Sequence, residues 1–243
     1  MKLQGKTAVV TGGGTGIGWG IAQALAREGC RVAIAGRRAE QLRAAAASWT
    51  QTPEILWHPV DVADRARVAA LFQWVTETLG RLDILVNSAG INIADRSMAA
   101  MQPEQWDQVL AINATGAYNC LYHALPQMRA RQEGLVINIS SISGKRATAL
   151  GGVAYCASKF AMTALGTSVG NECAADGVRI TNIYPGEVNT PILKHRPTPV
   201  SEERKTAMLQ PDDFGDLVVA VACLHPRAHV AEIVLKPTVQ QYC

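Results

Sequence analysis

Tyr155 and Lys159 are the residues of this sequence whose types and spacing best suit them to move a proton. In a helix, residues four apart lie on one face, so the two side chains would be neighbours. Free tyrosine titrates near about 10 and free lysine near about 10.4, so neither is poised at neutral pH. A lysine cation beside the phenol favours the phenolate, and we expect it to lower the pKa of Tyr155. The pair predicts a general acid and base for a reacting oxygen.

Ser141 follows a predicted strand, where its hydroxyl could hydrogen-bond a substrate oxygen and hold it in place. Each of the three residues also has an ordinary structural interpretation. Tyr155 would then be a core aromatic residue, Lys159 a solvated helix lysine and Ser141 a structural serine. Taken together, the three favour catalysis.

A glycine-rich turn, TGGGTGIG at residues 11–18, joins the first predicted strand to the first predicted helix. Glycine permits the positive φ angles of a tight turn and lets the backbone approach a pyrophosphate. The helix amides that follow favour an anion. A plain tight turn is the alternative, but a strand before and a helix after are the context that dinucleotide binding requires.

The end of the second predicted strand lacks the acidic residue that would bind the ribose 2′-hydroxyl of NAD. It carries Arg37 and Arg38 instead, and guanidinium groups bind phosphate in a bidentate manner. We therefore predict NADP(H) as the cofactor, with Arg37 as the stronger candidate. Arg38 is equally consistent with a solvated start of the next helix.

These residues must be positioned by short β-branched runs that alternate with longer amphipathic stretches rich in Ala and Leu. The runs are Thr7–Thr11, Arg31–Ala35, Glu54–Val60, Ile84–Asn87, Leu135–Ser140, Val178–Tyr184 and Glu232–Lys236. Helical patterns lie near residues 16–28, 39–49, 64–79, 103–131, 153–175 and 212–224. This alternation predicts an α/β, doubly wound Rossmann fold, a seven-stranded parallel sheet with helices on both faces. Ligands of such sheets bind at the carboxyl ends of the strands.

The chain has 243 residues, 48% of them apolar, and no repeat or compositional break marks a linker. This size indicates one domain, residues 1–243, whose single sheet serves both cofactor and substrate. Residues 186–211 are the irregular stretch, divided by Pro191, Pro197, Pro199 and Pro211. Because this segment follows the sixth strand on the ligand side, we expect it to form a lid over the substrate.

Charge and composition exclude several classes of function. The net charge of +3 is dispersed, so nothing indicates binding to nucleic acid or to an anionic membrane. The longest apolar run, Leu217–Leu224, is far shorter than the roughly 18 residues that cross a bilayer, and residues 1–14 lack the apolar core of a signal peptide. The cysteines, which form no CxxC pair, are Cys30, Cys120, Cys156, Cys173, Cys223 and Cys243. We expect a cytoplasmic protein with reduced thiols and no metal site.

Seven motifs occur in the order and spacing of one family, and the sequence from Lys2 to about Pro191 resembles the single-domain branch of the short-chain dehydrogenase/reductase family. They are residues 11–18, Asp61-Val62, Asn87-Ser88-Ala89-Gly90, Asn113, Ser140-Ser141, Tyr155 with Lys159, and Pro185-Gly186 with Thr190. Any one motif alone is weak. All seven in order are highly specific.

The resemblance implies roles for these residues. The catalytic set would be Asn113, Ser141, Tyr155 and Lys159, with Lys159 also binding the nicotinamide ribose and Asn113 helping to hold a water that passes protons to solvent. Ser140 would be the structural serine of its pair. The cofactor contacts would be Gly12, Gly14, Thr15, Gly16, Ile17, Gly18, Arg37, Arg38, Asp61, Val62, Asn87, Ala89, Gly90, Tyr155, Lys159, Pro185, Gly186, Val188 and Thr190. Of these, Asp61 would accept from the adenine amino group, and Val188 and Thr190 would meet the carboxamide. Ser88 replaces the family's usual asparagine.

Basic residues cluster where the substrate would bind, in the lid and after the fourth and fifth strands. They are Arg96, Lys145, Arg146, Lys194, His195, Arg196, Arg204 and Lys205. One hypothesis is an anionic substrate, such as a hydroxy acid or the phosphopantetheine of an acyl thioester; a solvated lid is the alternative. The C-terminal Lys236-Pro237-Thr238 replaces the family's Asp-Gly-Gly and resembles NADP-dependent hydroxy acid dehydrogenases and 3-oxoacyl-carrier-protein reductases.

The function that follows from the resemblance is transfer of a hydride between NADP(H) and a small carbonyl or secondary alcohol substrate. A non-catalytic NADP-binding redox sensor or scaffold is the alternative, but such proteins typically lose the tyrosine or the lysine. Extended epimerases and dehydratases need a longer C-terminal region. The family also implies a homo-oligomer, a tetramer or dimer, assembled through the long helices near 103–131 and 153–175.

Overall fold

Seven strands form one sheet in the computed structural model, which describes residues 1–241; Cys243 of the predicted thiols lies outside the described residues. The strands are β1 (Thr7–Thr11), β2 (Arg31–Gly36), β3 (Ile55–Pro59), β4 (Ile84–Asn87), β5 (Gly134–Ile139), β6 (Val178–Pro185) and β7 (Glu232–Leu235). Their order is β3-β2-β1-β4-β5-β6-β7, and every neighbouring pair is parallel. The strand order reverses between β1 and β4, which places a ligand site at that crevice.

Helices connect the strands on both faces. They are α1 (Gly16–Arg27), α2 (Ala39–Ser48), α3 (Arg65–Leu79), α4 (Pro103–Leu110), α5 (Gly116–Ala130), α6 (Val153–Cys173), α7 (Glu202–Thr206) and α8 (Pro211–Ala222). Successive residues of β1 point to opposite faces, so Val10 packs with Ile21 of α1 and Phe214 of α8, whereas Val9 packs with Leu71 of α3 and Leu121 of α5. The doubly wound fold is confirmed.

The helix predicted at 103–131 is interrupted. Between α4 and α5 the backbone forms one π-helical turn, Ala111–Thr115, which contains Asn113. A π turn inside an α-helix is frequent at functional sites. The helical pattern near 103–131 is therefore confirmed over Pro103–Ala130, and the π turn inside it was not predicted.

Residues 186–211 are also more ordered than predicted. They contain a 3₁₀ turn, Pro191–His195, and the short helix α7, and Val188 pairs with Leu209 in an isolated parallel bridge. Ser201 caps α7 by accepting from the backbone N–H of Arg204.

Within residues 1–241, no helix combines the length and apolar content needed to cross a membrane.

A row of buried asparagines crosses three neighbouring strands of the sheet. Asn87, Asn138 and Asn182 are register partners on β4, β5 and β6. Asn87 donates to Asn138 at 3.0 Å, and Asn138 donates to Asn182 at 3.1 Å. The row packs under α6 at Gly166, where a Cβ would stand 2.2 Å from the Asn182 Oδ1. Gly166 therefore makes room for the asparagine row within the chain.

Candidate functional site

A cavity of about 660 Å³ opens at the carboxyl ends of the strands and joins the glycine turn to Tyr155. It brings together most of the residues proposed from the sequence: Gly12, Gly14, Thr15, Gly16, Ile17, Arg37, Arg38, Asp61, Val62, Ala89, Gly90, Ser141, Tyr155, Lys159, Pro185, Gly186, Val188 and Thr190. Gly18, Asn87 and Asn113 do not line it. Its size is within the usual range of ligand sites, roughly 300–1,000 Å³.

The glycine turn is shaped for close approach of a ligand. Gly12 has φ +65° and Gly16 has φ +53°, both in the region that favours glycine. A Cβ on Gly12 would stand 2.7 Å from the carbonyl oxygen of Ser88, and one on Gly18 would stand 2.5 Å from that of Gly12. Thr15 makes no side-chain cap to the amides that begin α1, so these amides are available to an anion. Gly18 thus allows α1 to pack closely against the turn, and its expected contact with the cofactor stays a prediction.

Arg37 and Arg38 flank the same cavity just after β2, and both are exposed. Within residues 1–241 neither arginine forms an ion pair, and the acidic residues that line the cavity are Asp61 and Glu187. Asp61 turns one oxygen to its own loop, accepting from the N–H of Ala63 at 3.0 Å. This corner therefore offers two uncompensated guanidinium groups, which suit a phosphate.

Tyr155, Lys159 and Ser141 meet on the opposite wall. The two residues of α6 lie in its first two turns, and Ser141 begins the turn that follows β5. The Nζ of Lys159 donates to the carbonyl oxygen of Ile139 at 2.8 Å and stands 5.7 Å from the centre of the Tyr155 ring. Ser141 Oγ accepts from the N–H of Ser143 at 3.0 Å, and its hydroxyl also hydrogen-bonds Tyr155.

The pKa of Tyr155 shifts in the opposite direction to the predicted one. Burial raises it, a hydrogen bond with Ser141 lowers it, the neighbouring Cys156 raises it, and the charge of Arg96 lowers it; the net direction is upward. The causes of the shift do not include Lys159, whose ammonium donates to Ile139. Burial lowers the pKa of Lys159 from its ordinary 10.5 to about 8. The expectation that Lys159 lowers the pKa of Tyr155 was wrong.

Asn113 lies beneath the cavity instead of in its wall. Its Oδ1 accepts from the N–H of Ile91 at 2.8 Å, and its Nδ2 donates to the Ile91 carbonyl at 2.9 Å and to Ser158 Oγ at 3.0 Å. Both amide protons are therefore used. The side chain fastens the loop after β4 to α6 and so holds the loop beside Lys159. These bonds give Asn113 a positioning role, and its expected part in holding a water stays a prediction, since Oδ1 keeps a second lone pair.

Asn87 also lies outside the cavity wall, in the asparagine row, and its Oδ1 is buried without a partner.

Several residues of the cavity were not named from the sequence: Gln41, Leu42, Ile91, Asn92, Thr148, Leu150, Gly151 and Gln240. The apolar spacing of α2 identifies Leu42, its one buried residue within the described chain. Gln240, which accepts from the N–H of Glu187 at 2.9 Å, has no sequence signal because only the fold brings it there.

Comparison with known proteins gives three concordant results. The family model described as short chain dehydrogenase matches residues 6–200. An uncharacterized oxidoreductase of Staphylococcus aureus (strain USA300) is 35% identical over 97% of this chain and 98% of its own. A metagenomic short-chain oxidoreductase, solved in complex with NADP, is 33% identical with a TM-score of 0.85, over 99% of this chain and 100% of that one.

A second solved structure is an alcohol dehydrogenase from the archaeon Thermococcus sibiricus, complexed with 5-hydroxy-NADP. It is 28% identical, with a TM-score of 0.87, over 97% of this chain and 98% of that one. The likeness therefore extends over nearly the whole length of these proteins.

Proposed function

The chain belongs to the short-chain dehydrogenase/reductase family of oxidoreductases, and from that membership we propose that it uses NADP(H) to interconvert a carbonyl group and a secondary alcohol on a small molecule. The observation that carries the proposal is one continuous cavity with the glycine turn and Arg37 at one end and Ser141 and Tyr155 at the other. Its two ends separate cofactor binding from proton transfer.

The residues of the cavity fit a dinucleotide phosphate. The close approaches at Gly12 and Gly18 and the uncapped amides of α1 suit the pyrophosphate. Arg37 and Arg38 suit a 2′-phosphate, for which an acidic residue would be repulsive. Asp61 and Val62 would flank the adenine, and Val188 and Thr190 would hold the nicotinamide end. When bound, the nicotinamide supplies a hydride to a carbonyl carbon or accepts one from an alcohol carbon.

Tyr155 would handle the proton. In reduction, its phenolic O–H is donated to the carbonyl oxygen; in oxidation, its phenolate accepts the proton of the alcohol. Burial raises the pKa of the phenol and so favours its protonated form, the one that donates in reduction. Ser141, which hydrogen-bonds Tyr155, would turn its hydroxyl proton to the oxygen of the substrate when the substrate binds. Lys159, held by Ile139, would position α6 and meet the nicotinamide ribose.

A homo-oligomer is the second part of the proposal. Four large side chains on α5 and α6, Tyr118, Tyr122, Val153 and Phe160, are 39–63% exposed, and such clustered apolar surface marks an interaction face. We propose that a second copy of the chain covers them, and light scattering in solution tests this. A monomer at micromolar concentration would contradict it.

The direct test of the activity is to follow NADPH absorbance against a panel of ketones, aldehydes and secondary alcohols. Turnover supports the oxidoreductase. Tight NADPH binding with no turnover of any panel member would instead favour the non-catalytic sensor.

Residues 186–211 would act as the lid in either case, since Ile192, Leu193 and His195 line the cavity.

A further inference from the structure

The structure separates the eight basic residues near the substrate end into those that face the cavity and those that do not. Lys145, Arg146, Arg204 and Lys205 are not part of its wall. Lys145 pairs with Glu232, and Lys205 pairs with Glu202 at 2.6 Å. Arg96, Lys194, His195 and Arg196 do line the cavity.

The surroundings of three of these four make them unsuited to bind an anionic group of the substrate. Arg196 is neutralised by Glu187 at 2.9 Å, and Glu187 also pairs with Arg204 at 3.0 Å. Lys194 and His195 are exposed, so water competes for any ligand they meet. Arg96 remains as the buried cation of the substrate wall.

Arg96 is only 9% exposed, and within residues 1–241 it has no carboxylate partner. Its guanidinium instead donates to three backbone carbonyls, one on each loop around the site. Nε donates to Ile93 at 2.8 Å, Nη2 donates to His195 at 2.8 Å, and Nη1 donates to Leu150. A guanidinium has five N–H donors, so one proton on each Nη is left for a ligand.

Burying a charge without a counterion costs free energy, and an anion that pairs with the charge offsets that cost. Burial lowers the pKa of Arg96 and the charge of Arg196 lowers it further, whereas Tyr155 raises it. The same guanidinium lowers the pKa of Tyr155, so its field reaches the reacting phenol. The positive charge therefore lies close to the carbonyl that would be reduced.

The frame around Arg96 is rigid. Gly152 has φ +82°, and a Cβ there would stand 2.5 Å from the Cβ of Arg96. The N–H of Val153 donates to the Arg96 carbonyl at 3.0 Å, which fastens it to the start of α6, the helix that carries Tyr155. Guanidinium and phenol are thus held at a fixed separation. Such a pair can select substrates by the distance between the two groups that it binds.

We propose that the substrate carries a carboxylate near its carbonyl or hydroxyl group and that Arg96 binds this carboxylate through the two N–H groups left free. The proposal rests on the function proposed above and names its substrate class, a keto acid or hydroxy acid. A phosphopantetheine arm fits less well, because its phosphate lies at the far end of a long chain from the reacting carbonyl. Arg96, in contrast, acts on Tyr155 itself.

The test compares three keto acids of increasing length, pyruvate, acetoacetate and levulinate, each with its primary amide as the neutral partner. We expect kcat/KM with NADPH to favour at least one acid over its amide by about 10- to 100-fold, the effect of charge-assisted hydrogen bonds. Arg96→Met should abolish that preference, and Arg96→Lys should keep part of it. Arg179→Met is the matched control, because Arg179 also donates to a backbone carbonyl, that of Ala228, but lies outside the cavity.

A binding measurement keeps the test independent of turnover. Isobutyrate and isobutyramide are titrated calorimetrically into the protein with NADP⁺, in the wild type, Arg96→Met and Arg179→Met. Tighter binding of the acid in the wild type and Arg179→Met alone supports the proposal. Equal treatment of acids and amides by the wild type overturns it, as does a preference that survives in a folded Arg96→Met. If neither acids nor neutral ketones are reduced, the proposed function fails, and the titration alone decides the role of Arg96.

Discussion

The ammonium of Lys159 stands 5.7 Å from the centre of the Tyr155 ring, yet its hydrogen bond goes to the backbone of β5 rather than to the phenol. Both residues lie on α6, one helical turn apart. Lys159 therefore links α6 to β5. The pKa of Tyr155 is raised by burial and lowered by the hydrogen bond with Ser141. The net effect favours the protonated phenol over the phenolate.

Ser141→Ala should raise the pKa of Tyr155, because the hydrogen bond that it removes lowers that pKa. Alcohol oxidation requires the phenolate, so the alkaline rise of kcat/KM for oxidation should move to higher pH. Ser141→Thr, which keeps a hydroxyl, should restore the original profile. An apparent pKa that is the same in Ser141→Ala and the wild type would show that Ser141 does not act on Tyr155.

Lys159 should make stability depend on pH. Its pKa is 10.5 when unfolded and about 8 when folded, so the unfolded state binds more protons between these values. Stability therefore rises with pH across that window. Relative to Lys159→Met, the free energy of unfolding of the wild type should increase by about 3 kcal/mol from pH 7 to pH 11.

Denaturant titrations of both proteins at several pH values measure this difference. Other groups, such as Cys30, whose thiol pKa burial raises to about 12, titrate in both proteins and cancel in the comparison. A difference that stays constant over the window would mean that Lys159 is not desolvated.

Arg37→Ala should weaken the preference for NADPH over NADH. Loss of a charge-assisted contact to the 2′-phosphate should reduce the ratio of the two kcat/KM values by about 10- to 100-fold, mainly through NADPH. Arg43→Ala is the matched control, since Arg43 is an exposed arginine of α2 that pairs with Glu40 and does not line the cavity. Equal ratios in Arg37→Ala and the wild type would assign the 2′-phosphate to another residue.

Gly166→Ala should destabilise the protein, because its Cβ would stand 2.2 Å from Asn182 Oδ1 and 2.6 Å from Asn138 Nδ2. We expect a loss of about 2–4 kcal/mol from overpacking and a disrupted hydrogen bond. Gly170→Ala, one turn further along α6, meets Ile180 at an ordinary 3.5 Å and should gain up to about 1 kcal/mol. Chemical unfolding of both variants checks the pair, and equal stabilities would refute the role of Gly166.

The elements of this fold are readable from the sequence because most of its strands are buried. Val9 and Val10 face opposite cores and are both fully buried, so β1 has no polar face and reads as an apolar run. Every predicted strand lies within one residue of the observed bounds at either end. The turns after these strands carry the cavity residues, so a correct strand order also assembles most of the site.

The remainder depends on tertiary contacts that leave no local pattern. The π turn at Ala111–Thr115 contains Asn113, which bonds to Ile91 and Ser158, residues distant in sequence. The direction of the Tyr155 pKa depends on where the Lys159 ammonium points, which spacing on a helix does not specify. Arg96 was one of eight basic candidates, and only the packing of three loops distinguishes it.

The most direct test of the central claim is the rate of NADPH oxidation by Tyr155→Phe with any ketone that the wild type reduces. The substitution removes one hydroxyl and leaves the glycine turn and Arg37 untouched, so NADPH should bind as tightly as in the wild type. We predict a loss of at least about 100-fold in kcat, the usual contribution of a general acid. Turnover at the wild-type rate, with NADPH bound normally, would contradict the assignment of Tyr155 as the proton donor.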